Sequence, residues 1–124
     1  MDTKALIAAA LAQRAEWLDL GDGKRVRVRR PSEVESLALL RKGDDGVPYL
    51  AAGAPEVRKH VVDWEGFKEC DLIGAAGASD ALAFDPELWA VWIDDQRLAL
   101  QKVAQKIVDL VAAHEKAAAD AEKN

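Results

Sequence analysis

The sequence predicts an α+β fold: a mostly helical single domain with one N-terminal β-hairpin. Three observations predict it. Gly21-Asp22-Gly23 separates two short segments that alternate apolar and polar residues. Asp85-Pro86-Glu87 is a helix start, followed by apolar residues at helical spacing. Leu100, Val103, Ile107, Leu110 and Val111 then form a long helical stripe. The domain is expected over residues 1–114, with a flexible polar tail over 115–124.

The chain of 124 residues carries a net charge of −5, and half of it is apolar. One modest core fits this size, with a thin stability margin. The acidity argues against non-specific nucleic-acid binding, which needs Lys and Arg to neutralise phosphates. No apolar run approaches the length that crosses a bilayer. The short basic start and alanine-rich run imitate a signal peptide, but Arg14 and Glu16 interrupt the run early. A single cysteine, Cys70, allows no intramolecular disulfide and fits a reducing cytoplasm.

Taking the elements in order, Thr3 to Ala15 is rich in Ala and Leu and predicts a short helix without a strong core face. Glu16 to Leu20 and Lys24 to Arg30 predict the hairpin. Val26 and Val28 share one face of its second strand, and Arg25, Arg27 and Arg29 the other. Pro31 ends that strand. Ser32 and Glu35 have capping-box spacing for a helix over 33–41, with Leu37 and Leu40 among its buried residues. Residues 43–48 read as a loop. A helix is expected from Pro55 towards Trp64, placing Val57, Val61 and Trp64 on one face. Periodicity then fades to Ala83, with a helical turn at 68–72. Asp85 caps the next helix, in which Leu88, Trp89, Trp92 and Ile93 recur at helical spacing; Asp94-Asp95 either interrupts it or starts another.

No catalytic, cofactor-binding or metal-binding constellation is visible. Cys70 as a nucleophile would need a group that lowers its pKa. His60 is the conceivable partner, but Glu69 and Asp71 flank the thiol and act in the opposite direction. Asp80, Asp85, Asp94 and Asp95 have neither paired-carboxylate geometry nor calcium-loop spacing, and capping and solvation account for them. His114 ends the apolar stripe, where a cation suits a helix C-terminus. The arginine-rich strand is readable as a phosphate contact or as a solvated face that discourages edge aggregation. The second reading has the overall acidity on its side. Trp64, Trp89 and Trp92 are readable as core or as an interface patch, and Trp64 and Trp89 are expected to pack together.

Three segments carry a resemblance. Val62-Asp63-Trp64-Glu65-Gly66-Phe67-Lys68-Glu69-Cys70-Asp71-Leu72 resembles a W-E-G-hydrophobic-x-E-x-D-L segment of bacteriophage and prophage tail assembly chaperones. Phe84-Asp85-Pro86-Glu87-Leu88-Trp89, with Trp92 and Asp94-Asp95, is similar to their F-D-x-E-L-W-x-x-W-x-x-D segment. Leu20 to Pro31 resembles their G-D-G-x-x-V-x-V-R-R-P hairpin. The matches come in family order and together span most of the chain.

The resemblance implies a non-enzymatic role in the host cell cytoplasm. Such a protein holds the tape measure protein, helps recruit tail tube subunits and is absent from the mature virion. It implies no cofactor and no nucleic-acid or membrane partner, and leaves self-association open. The rival reading is a structural tail or head–tail completion protein retained in the virion. The expected partner-binding residues are Leu100, Val103, Ile107, Leu110 and Val111, because this long stripe lies in a small chain with little else to cover it. Many members of the family have a longer form made by ribosomal frameshifting. Glu122-Lys123-Asn124 permits the slippery heptamer A-AAA-AAC, and the polar tail would then act as a tether.

Overall fold

A computed structural model describes residues 1–123 and shows a mixed α+β chain. The elements run α1 (Thr3–Ala12), β1 (Ala15–Gly21), β2 (Lys24–Arg29), α2 (Glu33–Leu39), β3 (Leu40–Lys42), β4 (Pro48–Leu50), α3 (Ala54–Lys59), β5 (Val61–Glu65), α4 (Glu69–Ile73), α5 (Pro86–Asp94) and α6 (Arg97–Lys123). A single 3-10 turn covers Gly74–Ala76.

The hairpin forms as its sequence dictates. Gly21, Asp22 and Gly23 all take positive φ, which glycine tolerates without steric cost and Asp more readily than most residues. Beyond the hairpin, the sheet corrects the sequence reading. It has three antiparallel strands in the order β1-β2-β5, and β3 and β4 form a separate two-stranded ribbon. Helix and sheet therefore share the architecture.

The missed strand is β5. The helix expected to reach Trp64 stops at Lys59, His60 turns the chain, and Val61 to Glu65 pairs with β2. Local spacing alone favours a helix here. The open edge of β2 and the β-branched and aromatic side chains of 61–64 favour a strand, and pairing Val26 with Trp64 buries both. The register slips between Arg27 and Val28, which leaves Val62 as the extra residue of a bulge, 41% exposed.

The capping box forms at α2: Ser32 Oγ accepts from the Glu35 amide at 3.1 Å, and Glu35 Oε1 accepts from the Ser32 amide at 2.9 Å. The helix ends at Leu39, short of the expected Arg41, because Leu40 to Lys42 pairs with Pro48 to Leu50. Leu37, expected inside, is 78% exposed, and Leu40 is half-buried. Asp85 caps α5 through both the Glu87 and Leu88 amides; α5 ends at Asp94, and Asp95 and Gln96 separate it from α6.

The core lies between the sheet and the C-terminal helices. Val26 and Val28 from β2 meet Trp64 and Phe67, Trp89 and Ile93 of α5, and Val103, Ile107 and Leu110 of α6. After Val111 the helix continues to Lys123 with no further buried residue. Where the sequence reading expects a flexible polar tail from Glu115, residues 115–123 are helical and exposed. Ala, Lys and Glu extend a helix that is already nucleated, at little cost per residue. The slippage triplet ends on Asn124, which lies outside the described residues.

Candidate partner-binding surface

The expected partner stripe faces inward. Val103 and Ile107 are fully buried, Leu110 and Val111 are each 7% exposed, and Leu100 is half-buried against the core. Most of the apolar face of α6 therefore packs within the chain itself, and a partner on that face would have to displace this packing. Helical periodicity marks burial, but it does not say whether the cover belongs to the same chain.

The uncovered apolar surface is elsewhere. Between α2, the β3–β4 ribbon and the later turns of α6 lies a groove of about 390 Å³. Its apolar lining comes from Leu37, Leu40, Pro48, Val108, Val111 and Ala112. Of the five expected residues, only Val111 touches it. Arg30, Arg41 and Lys42 also line it, as do Glu33, His114 and Glu115. Arg41 donates to the Leu37 and Leu40 carbonyls at 3.1 and 3.0 Å, which closes the C-terminal end of α2. His114 lies 3.6 Å from Glu33, and α6 runs on past it. A cation at a helix C-terminus therefore does not describe it.

The second uncovered element is α1. It has no buried residue, and Leu6, Ile7 and Leu11 are 59%, 55% and 43% exposed. Its sequence explains why no face was legible: apolar residues surround the helix axis, and no charge falls between Lys4 and Arg14.

The three segments that resemble the family converge on one corner. Gly66 approaches the hairpin turn so closely that a Cβ built there would stand 2.0 Å from the Gly23 carbonyl oxygen. Lys24 bridges to Asp71 at 3.1 Å and lies 5.9 Å over the Phe67 ring. Burial alone would raise the Asp71 pKa, but the Lys68 amide and the Lys24 ammonium together hold it below the usual value. Trp64 stacks on Phe67 at 4.2 Å, and Trp92 and Trp89 meet Phe67 edge-on at 4.9 and 6.4 Å. Phe84 meets Trp64 edge-on at 5.5 Å. Both buried indoles donate to backbone carbonyls, Trp64 to Leu82 at 2.9 Å and Trp89 to Arg58 at 3.2 Å. Trp64 and Trp89 are thus core residues, with Trp92 half-buried at its edge. Phe67, fully buried at the centre, was missed because its segment has no periodicity.

The basic strand is engaged within the chain. Arg25 bridges to Glu65 and lies 4.1 Å over the Trp17 ring. Arg27 donates to the Ala12 carbonyl, Arg29 bridges to Glu35, and Arg30 donates to the Pro31 carbonyl. The Arg29 hydrogen bond, with the Ser32 amide behind it, lowers the Glu35 pKa to about 2.

Among the described residues, Cys70 and His60 are not brought together by a hydrogen bond. Cys70 is a half-buried free thiol whose amide donates to the Ala78 carbonyl. His60 is 3% exposed, and its Nδ1 has no hydrogen-bond partner. Burial first, then the nearby Arg29, push its pKa down. Among the described residues no group of three or more His, Cys, Asp or Glu side chains is placed to hold a metal, and no helix is long and apolar enough to cross a membrane. Comparison of the chain with protein-family models, curated proteins and solved structures finds no match.

Proposed function

We propose that this chain is a non-enzymatic tail assembly chaperone of a long-tailed phage. In this reading it binds the tape measure protein in the host cytoplasm, helps recruit tail tube subunits and leaves before the virion is complete. One observation carries the reading. The hairpin, W-E-G and F-D-P-E-L-W segments, chosen for their resemblance and separated in the chain, interlock in one corner through Gly23–Gly66, Lys24–Asp71 and the Trp64–Phe67–Trp89 cluster. These contacts make the three segments one structural unit of this chain, which is the arrangement the reading supposes.

The same observation assigns the motifs a structural part. Their aromatic side chains build the core, so recognition falls to the surfaces that the core leaves bare. The groove beside α2 supports the partner side of the proposal: an apolar floor with basic and acidic residues around it suits an amphipathic helical segment.

The test is genetic and compositional. Deleting the gene from its phage or prophage should leave filled heads without tails, and mass spectrometry of wild-type particles should find no peptide of this chain. Its presence in purified virions at a fixed copy number would replace the chaperone reading with that of a structural tail or head–tail completion protein.

A further inference from the structure

We propose that α1 is an exchange arm that docks into the groove beside α2 on a second copy of this chain, reciprocally, to form a twofold dimer. The first ground is the mismatch between the sequence of α1 and its surroundings. A helix that is apolar all round belongs inside a protein, yet Leu6, Ile7 and Leu11 are 59%, 55% and 43% exposed and none of them is buried by the described residues. Ten residues are also fewer than an isolated helix needs to persist in water, so the arm requires a packing partner.

The second ground is connectivity. Only Gln13 and Arg14 separate α1 from β1, a reach of about 7 Å. Both ends of that link are held: Arg27 donates to the Ala12 carbonyl at 3.0 Å, and the Arg30 amide to the Arg14 carbonyl at 2.7 Å. The arm has no slack to fold back into the groove of its own chain. Arg30 lines that groove, so the base of the arm and the groove share one edge of the molecule. A twofold dimer requires this arrangement, because the same patch must both give and receive.

The third ground is area. A helix of this length is about 15 Å long and 10 Å across. Seating half its wall buries roughly 500 Å² counting both sides, and two reciprocal contacts give roughly 1,000 Å², the lower bound for a specific interface. The dimer is therefore weak and reversible. The arm and a tape measure helix would compete for this one groove, so the dimer is the form of the chain without that partner, and it is tested on the purified chain alone.

Sedimentation equilibrium at roughly 100 μM should give a mass well above the 13.5 kDa of the monomer, rising towards twice that value with concentration. Leu6→Glu in the arm and Leu37→Glu in the groove should each return the monomer. Both sites are exposed, so melting temperatures measured on dilute monomer should be unchanged. Mixing the two variants restores one intact arm–groove pair and should recover part of the dimer. A wild-type monomer at this concentration overturns the proposal. So does a dimer abolished by Leu6→Glu, indifferent to Leu37→Glu and not rescued by mixing, which is the pattern of arm-to-arm pairing.

Discussion

Replacing Trp89 with alanine removes the largest fully buried side chain. The indole is 1% exposed, meets Phe67 edge-on at 6.4 Å, stacks on Trp92 at 5.9 Å and donates to the Arg58 carbonyl at 3.2 Å. Truncating a buried tryptophan costs about 3–5 kcal/mol, with the upper end expected where neighbours cannot collapse into the space. Here the ring neighbours are Trp92 of α5 and Phe67 of the segment between β5 and α4, and Phe67 is itself stacked on Trp64 of β5. For a chain of this length that loss is a drop in Tm of roughly 10–20 °C, and a large share of total stability. Trp89→Phe separates the contributions: it keeps an aromatic ring, shrinks it and orphans the Arg58 carbonyl, at about 1–3 kcal/mol. Urea melts followed by circular dichroism, with an unchanged m-value, measure both. A Trp89→Ala midpoint within error of wild type would refute the packing argument and return Trp89 to the surface.

Other expectations follow from single contacts. Gly66→Ala should abolish or severely weaken folding, because φ is +83° and the new methyl would overlap the Gly23 carbonyl; the soluble yield and melting curve measure this. His60 is a base whose folded pKa is depressed, so the stability it contributes is present above its unfolded value of 6.5 and is lost as pH falls through the folded pKa. His60→Leu should flatten the stability profile below pH 6.5, and a slope there equal to wild type would contradict the assignment. Glu35 is depressed to about 2, so its contribution is present above 4.5 and lost between 4.5 and 2; Glu35→Gln should remove that part of the acid transition. No shift of duplex DNA is expected in a gel assay, since the arginines of β2 are occupied within the chain. Salt-dependent micromolar binding would reverse that expectation.

What the sequence made legible was local. The Gly21-Asp22-Gly23 turn, the Ser32–Glu35 capping box and the Asp85-Pro86 helix start are each set by a few neighbouring residues, and each forms as expected. The strand at 61–65 was not legible, because its conformation is decided by the β2 edge more than 30 residues away rather than by its own spacing. Leu37 shows the same limit from the other side: helical position predicts a face but not whether anything covers it. The candidate surface was the least legible part. The strongest stripe, Leu100 to Val111, is core, whereas α1 and the groove beside α2 carry weaker patterns and remain open. Phe67 and Gly66 had no periodic signal at all; only their place in a motif pointed to them.

The account rests on the chain holding a long helical partner. Co-expressing it with a phage tape measure protein, then recovering complex through a tag on this chain, measures that directly. The expected result is a soluble tape measure that co-purifies with wild type and is lost with Leu37→Glu, while Leu37→Glu itself keeps its wild-type melting temperature. A tape measure that stays insoluble, or that is equally soluble without this chain and absent from the eluate, would contradict it.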